Sequence, residues 1–166
     1  HAPADRGGGV MSGFRIESGQ DALAEIATLF RAYAAMLPVD LSPQGFDVEL
    51  AALPGEYAPP GGALLIARDD NGTALGCVAL RPQLPGTGEI KRMYVMDAAR
   101  GRGVGRSLLK AVLGVARASG YREVKLDTLR HLTAAQALYR AFGFEPIAPY
   151  APPLYPDPLF FGLTLD

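Results

Sequence analysis

Cysteine is nearly absent from this 166-residue chain: Cys77 stands alone, so no intrachain disulfide can form. Histidine is scarce as well, with two residues, and together with one cysteine it supplies no metal-ligand cluster. No apolar run approaches the ~20 residues needed to cross a bilayer. The opening residues lack the apolar segment of a signal peptide. An excess of one charge is also missing. The formal net charge is −1, which gives no global attraction to nucleic acid or to an acidic membrane. These absences lead us to expect a cytoplasmic protein with no metal and with no nucleic-acid or membrane partner. Any anion must be held by a local arrangement of residues.

What is present is an ordinary globular composition, with 49% apolar and 20% charged residues. The length suits one domain with a substantial core. Residues 1–11 read as a leader or an added remnant, and residues 12–166 as the domain. Phe14–Glu17 alternates as a short strand does. Ser18 followed by Asp21 suggests a helix start, and Leu23, Ile26, Phe30, Tyr33 and Leu37 continue at helical spacing up to Pro38. Ser42-Pro43 opens a second helix, with Phe46, Leu50 and Leu53 as its apolar stripe and Pro54 as its stop. Ala63–Arg68 and Ala74–Leu80 are β-rich runs joined through Asn71-Gly72, a strong hairpin signal. Pro82, Pro85, Gly86 and Gly88 predict a loop, and Glu89–Met96 another strand.

Val104, Leu108, Val112 and Ala116 stripe a helix that ends at Gly120, and Arg122–Thr128 is the next strand. Thr133 and Gln136 make a capping-box pattern ahead of a helix ending at Gly143. A segment with six prolines between Pro146 and Pro158 precedes a last strand, Leu159–Leu165. Strand 89–96, helix 103–119 and strand 122–128 form a right-handed βαβ unit, whose strands are parallel. The earlier strands come through hairpins and are antiparallel. The fold class is therefore α/β (α+β), a mixed sheet flanked by helices.

The informative segment is Arg100-Gly101-Arg102-Gly103-Val104-Gly105-Arg106, between a strand and a helix start. Helix N-termini present unpaired N–H groups, glycines let backbone approach an anion, and arginines add forked donors. A phosphate cradle is the expected use. A P-loop is excluded, since no lysine follows the glycines, and a dinucleotide fingerprint fails because its last glycine falls on Arg106 or Leu108. The pattern left is R-x-x-G-x-G on Arg100, Gly103 and Gly105.

In that pattern the chain resembles the GNAT superfamily of acetyl-CoA-dependent N-acetyltransferases. The resemblance extends to Met93-Tyr94-Val95, similar to the strand end that pairs with the pantetheine arm. It extends also to Ala137-Leu138-Tyr139-Arg140-Ala141-Phe142-Gly143-Phe144, similar to a later helix and turn. It covers about residues 60–145 well and the N-terminal third only in pattern. It implies a mostly antiparallel sheet with one parallel pair. It implies acetyl-CoA as co-substrate, with the pyrophosphate on the amides of Arg100–Arg106, and an acetyl group moved to a primary amine. The acceptor is expected to be a small molecule, and a homodimer is compatible with the superfamily. Tyr139 resembles the tyrosine that protonates the departing thiolate. Glu89 stands where some members carry a general base, with Asp127 in reserve and His131 a weaker choice.

One departure is Leu132, where the superfamily often has asparagine. Cys77, in an apolar strand, reads as packing. Lys91 and Arg92 either help hold phosphate or form a solvated strand face. Tyr150 and Tyr155, in the proline-rich arm, are expected to wall the acceptor pocket, the alternative being that the arm is a rigid connector or a dimer contact. Two other classes compete: an acyl-CoA-binding module without turnover, and a nucleic-acid-binding domain using Arg100, Arg102, Arg106 and Lys110. The charge balance argues against the second.

Overall fold

The computed structural model describes residues 13–42, 45–153 and 155–166. The expected leader, residues 1–11, lies outside them, as does Pro43. Seven strands form a mixed sheet in the order β1-β2-β3-β4-β5-β7-β6. They are β1 (Phe14–Ser18), β2 (Ala63–Asp69), β3 (Ala74–Leu84), β4 (Thr87–Val95), β5 (Glu123–Leu129), β6 (Glu145–Pro146) and β7 (Pro158–Thr164). Among the described residues only the β4–β5 pair is parallel. The helices are α1 (Leu23–Met36), α2 (Phe46–Ala51), α3 (Val104–Ala118) and α4 (Thr133–Ala141).

The central strands are apolar on both sides because both faces are covered. Leu65, Ala67, Val78 and Leu80 face α3, whose Val104, Leu108, Leu109 and Val112 are almost wholly buried. Their sequence neighbours Leu64, Ile66, Cys77 and Ala79 point the other way, onto Ile26, Leu29 and Phe30 of α1. Each such leucine or isoleucine stabilises the fold by about 1.5–3 kcal/mol of transfer free energy. No helix among the described residues is long and apolar enough to cross a membrane.

The hairpin at Asn71-Gly72 forms as expected, with Asp69 and Thr73 closing it at 2.9 Å. Several start signals act otherwise. Ser18 does not cap α1. It is still paired with Leu65 in the sheet, and its Oγ accepts a hydrogen bond from the Gln20 N–H at 3.2 Å. The helix starts later, after Ala22. The second helix begins not at Ser42 but after Gly45, and it ends before Leu53. Thr133 is already helical, and Gln136 forms no capping box. Its amide donates back to the carbonyls of Leu129 at 3.0 Å and Arg130 at 2.8 Å, tying α4 to the end of β5.

The expected loop over Pro82–Gly88 shrinks to a tight turn at Pro85-Gly86. Pro82 and Gly88 are paired strand residues. Proline is tolerated there because β2 pairs no further than Leu80, so Pro82 lies on a free edge and no ladder bond is lost.

Candidate active site

The chemistry-bearing residues converge where the two parallel strands separate. β4 and β5 are paired only at Thr87–Glu89 with Glu123–Lys125, and beyond that they diverge. A bulge in β4 accompanies the divergence. Between the pairs Ala79–Lys91 and Cys77–Tyr94, β4 carries one residue more than β3. Arg92 takes up the extra step in the left-handed region, at φ 58°, and such bulges bend a strand away from its neighbour. A left-handed non-glycine residue costs about 1–2 kcal/mol. Here it is held by its contacts. Arg92 grips both oxygens of Glu49, at 3.0 and 2.9 Å, and lies over the Phe46 ring. Its carbonyl accepts the Cys77 thiol at 3.3 Å.

The wedge opens into a cavity of about 500 Å3, bounded by α1, the diverging strands, the glycine loop and α4. At its outer end lies the segment from Arg100 to Gly105. Gly103 sits at φ 81° as the N-cap of α3, a conformation that only glycine adopts without strain. A Cβ built on Gly101 or Gly103 would meet nothing within 4 Å, so this backbone stands open. The first turn of α3 has no side-chain cap and no acidic residue. Its leading amides are therefore uncommitted and carry the positive end of the helix dipole. That is the donor set an anion such as a pyrophosphate requires.

Of the residues expected to bind the cofactor, Met93, Tyr94, Val95, Arg100, Gly101, Gly103, Val104 and Gly105 line this cavity. The side chains of Arg102 and Arg106 are engaged elsewhere. Arg102 reaches the Gly13 carbonyl at 3.5 Å, and Arg106 lies over the Phe142 ring at 5.2 Å. Arg100 is near Asp97, at 3.3 Å, and Met36.

Tyr139 lies at the inner end, on α4. Gly143, at φ 95°, turns the chain so that Phe144 comes back against the Tyr139 ring, with centroids 5.7 Å apart. The ring is buried, and burial raises the phenol's pKa. Its hydroxyl has no hydrogen-bond partner among the described residues, yet it is not among the sealed, unsatisfied atoms. It is a protonated donor on the cavity wall.

The two anticipated carboxylates differ in setting. Glu89 is buried, with one oxygen on Arg81 Nε at 2.9 Å and the other accepting the Tyr150 hydroxyl at 2.6 Å. It faces a smaller adjoining cavity of about 120 Å3 and not the large one. Asp127 lines both cavities; its Oδ2 accepts the Tyr155 hydroxyl at 2.7 Å. Burial and the adjacent carboxylates raise the pKa values of Tyr150 and Tyr155, so both remain donors. Tyr33, also on the wall, is pushed up to about 12 by burial. Leu132 and the exposed His131 line the large cavity.

Sequence reasoning missed the burial of Lys91 and Arg92 and the bulge. Lys91 and Arg92 are no solvated strand face: their side chains are 10% and 3% exposed. The available signal was two adjacent cations between Ile90 and Met93 in a strand that also carries Glu89. Among the described residues, no group of His, Cys, Asp and Glu is placed to hold a metal.

A sheet split by a bulged strand, with a glycine loop at the mouth and a phenol inside, is the arrangement that the resemblance to the GNAT acyltransferases implies. Comparison with known proteins agrees. The family model described as Acetyltransferase (GNAT) family matches residues 26–144. An uncharacterized N-acetyltransferase of Schizosaccharomyces pombe is 39% identical over 145 residues, 87% of this chain and 89% of that protein. A Klebsiella pneumoniae structure assigned as an acyl-CoA N-acyltransferase superposes with a TM-score of 0.75 at 28% identity, covering 93% of this chain and 99% of that one. The protein yncA of Salmonella typhimurium, solved with its cofactor acetyl-CoA, shares the fold at a TM-score of 0.71 and 22% identity, with coverage of 93% and 95%. The chain belongs to the GNAT acetyltransferase family and is an acyltransferase.

Proposed function

We propose that this chain transfers the acetyl group of acetyl-CoA to the primary amine of a small molecule. The observation that carries the reading is one continuous cavity with uncommitted helix amides at its mouth and both Tyr139 and Asp127 on its inner wall. The amides of Gly103, Val104 and Gly105 would hold the pyrophosphate. The unpaired edge of β4 from Ile90 to Val95 offers backbone partners to the amides of a pantetheine arm, as an exposed strand does. Acetyl-CoA supplies an activated thioester when bound. As the amine nitrogen bonds to the acetyl carbon and the C–S bond breaks, the nitrogen loses a proton and the sulfur must gain one or an equivalent hydrogen bond. Tyr139 donates to the sulfur.

For the base, Asp127 is better placed than Glu89. It faces the large cavity, whereas both oxygens of Glu89 are engaged by Arg81 and Tyr150. The proline-rich arm forms one wall of the acceptor end. Tyr150 and Tyr155 tether it to Glu89 and Asp127, and Ala151–Pro153 closes the smaller cavity.

Amine-dependent release of thiol from acetyl-CoA tests the reading. Turnover with at least one class of small primary amine is expected. Binding of acetyl-CoA without amine-dependent release would make the chain a non-catalytic acyl-CoA-binding module. Asp127→Asn is expected to lower kcat/KM by about 10- to 1,000-fold, most at low pH where the amine is protonated. Glu89→Gln should lose less, and a greater loss there would return the base to Glu89.

A further inference from the structure

The smaller cavity shares Lys91, Arg92, Asp127 and Tyr155 with the large one. Its wall is strongly charged, but most of that charge is matched internally. Glu49 is held by Arg92, and Glu89 by Arg81 and Tyr150. Lys91 differs. Its side chain is 10% exposed, and the carboxylate oxygen in ion-pair range, Oδ1 of Asp127, is 3.8 Å away. That is beyond hydrogen-bond reach, and the ammonium has no acceptor among the described residues. The ammonium is not among the sealed, unsatisfied atoms, so its donors open onto the cavities. Burial lowers its pKa, and the charges of Asp127 and Glu89 oppose that shift. An anion arriving between the two cavities would satisfy it. An acceptor without an anionic group would leave the Lys91 donors unmatched, since the Asp127 oxygen lies 3.8 Å away and the other cations already have carboxylate partners.

We propose that the acceptor amine carries a carboxylate, as an amino acid or a close analogue does. Lys91 Nζ holds that carboxylate, and the amino group lies on the cofactor side of Asp127. Lys91 is a specificity determinant and takes no part in the bond changes. The proposal deepens the acetyltransferase reading and rests on it. It explains why a lysine without a hydrogen-bond partner is buried in β4 where the two cavities meet.

The test pairs each common L-amino acid with the amine left by removing its carboxylate, such as phenylalanine with phenethylamine and leucine with isoamylamine. Thiol release from acetyl-CoA is followed at equal concentrations of free-base amine. The wild-type chain is expected to favour the amino acid in the best pair by about 10- to 100-fold in kcat/KM, the range for a charge-assisted hydrogen bond. Lys91→Met should abolish that preference by raising KM for the amino acid, with KM for acetyl-CoA unchanged, and Lys91→Arg should restore part of it. Thermal melting checks that each variant is folded. The methionine variant should fold, since the ammonium makes no hydrogen bond to Asp127 at 3.8 Å and Asp127 keeps the Tyr155 hydroxyl. A wild-type preference for the decarboxylated amines would overturn the proposal while leaving the acetyltransferase reading intact. So would an undiminished amino-acid preference in folded Lys91→Met. Turnover of neither member of any pair would overturn the small-amine reading and the carboxylate assignment with it.

Discussion

Replacing Tyr139 by phenylalanine removes one hydroxyl from the cavity wall and little else. The ring is buried between Phe144 and Phe161, with centroids 5.7 and 6.3 Å away, and phenylalanine keeps those contacts. The hydroxyl has no partner among the described residues, so its loss strands no other polar group. The stability change should stay within about 1 kcal/mol. Ground-state affinity for acetyl-CoA should change little, because the hydrogen bond in question strengthens only as charge develops on sulfur. Losing one such donor typically costs about 10²- to 10³-fold in kcat, or ~2.7–4 kcal/mol. The raised pKa keeps the phenol protonated well above neutrality, so the wild-type rate should not fall at alkaline pH through this group. The assay is steady-state thiol release with a saturating amine, beside a melting curve and an acetyl-CoA titration. A kcat within threefold of wild type, with unchanged melting, would refute the role and leave Tyr139 as packing.

Gly105→Ala should fold normally, since the new Cβ would meet Leu138 and Val95 at 3.6 Å, an ordinary contact, and alanine is the better helix former by up to ~1 kcal/mol. Acetyl-CoA affinity by calorimetry should nevertheless fall, and fall further in Gly103→Asp, where a carboxylate would repel the pyrophosphate; unchanged affinity in both moves the phosphate site elsewhere. Arg68 binds Glu17 and Glu25 and holds both carboxyls below their usual 4.5. Because their folded pKa values are depressed, this support is full above pH ~4.5 and is lost as pH falls through the folded values. Arg68→Met should therefore flatten the acid side of the melting temperature–pH curve, and an identical slope would contradict it.

The βαβ unit, the glycine loop and the Tyr139 helix were legible because each rests on local signals: helical spacing, glycines at a helix start, a terminating glycine. The resemblance then joined them into one site. The capping signals at Ser18 and Thr133 misled because tertiary bonds took precedence. Ser18 stays in the sheet opposite Leu65, and Gln136 reaches back to β5. The bulge at Arg92 was illegible, since nothing in the residue itself announces a left-handed backbone. Its cause lies 43 positions away, at Glu49. The setting of Glu89 was hidden for the same reason, because Tyr150 comes from a segment 61 residues on. Long-range pairings of charged groups set the electrostatics of this site, and single-sequence periodicity does not encode them.

The most direct test of the central claim is a crystal structure of the chain with CoA. The account predicts the pyrophosphate on the amides of Gly103–Gly105, the pantetheine arm along Ile90–Val95 in the wedge between β4 and β5, and the sulfur within hydrogen-bonding distance of the Tyr139 hydroxyl. A pyrophosphate bound away from the glycine loop, or a sulfur out of reach of Tyr139, would contradict it.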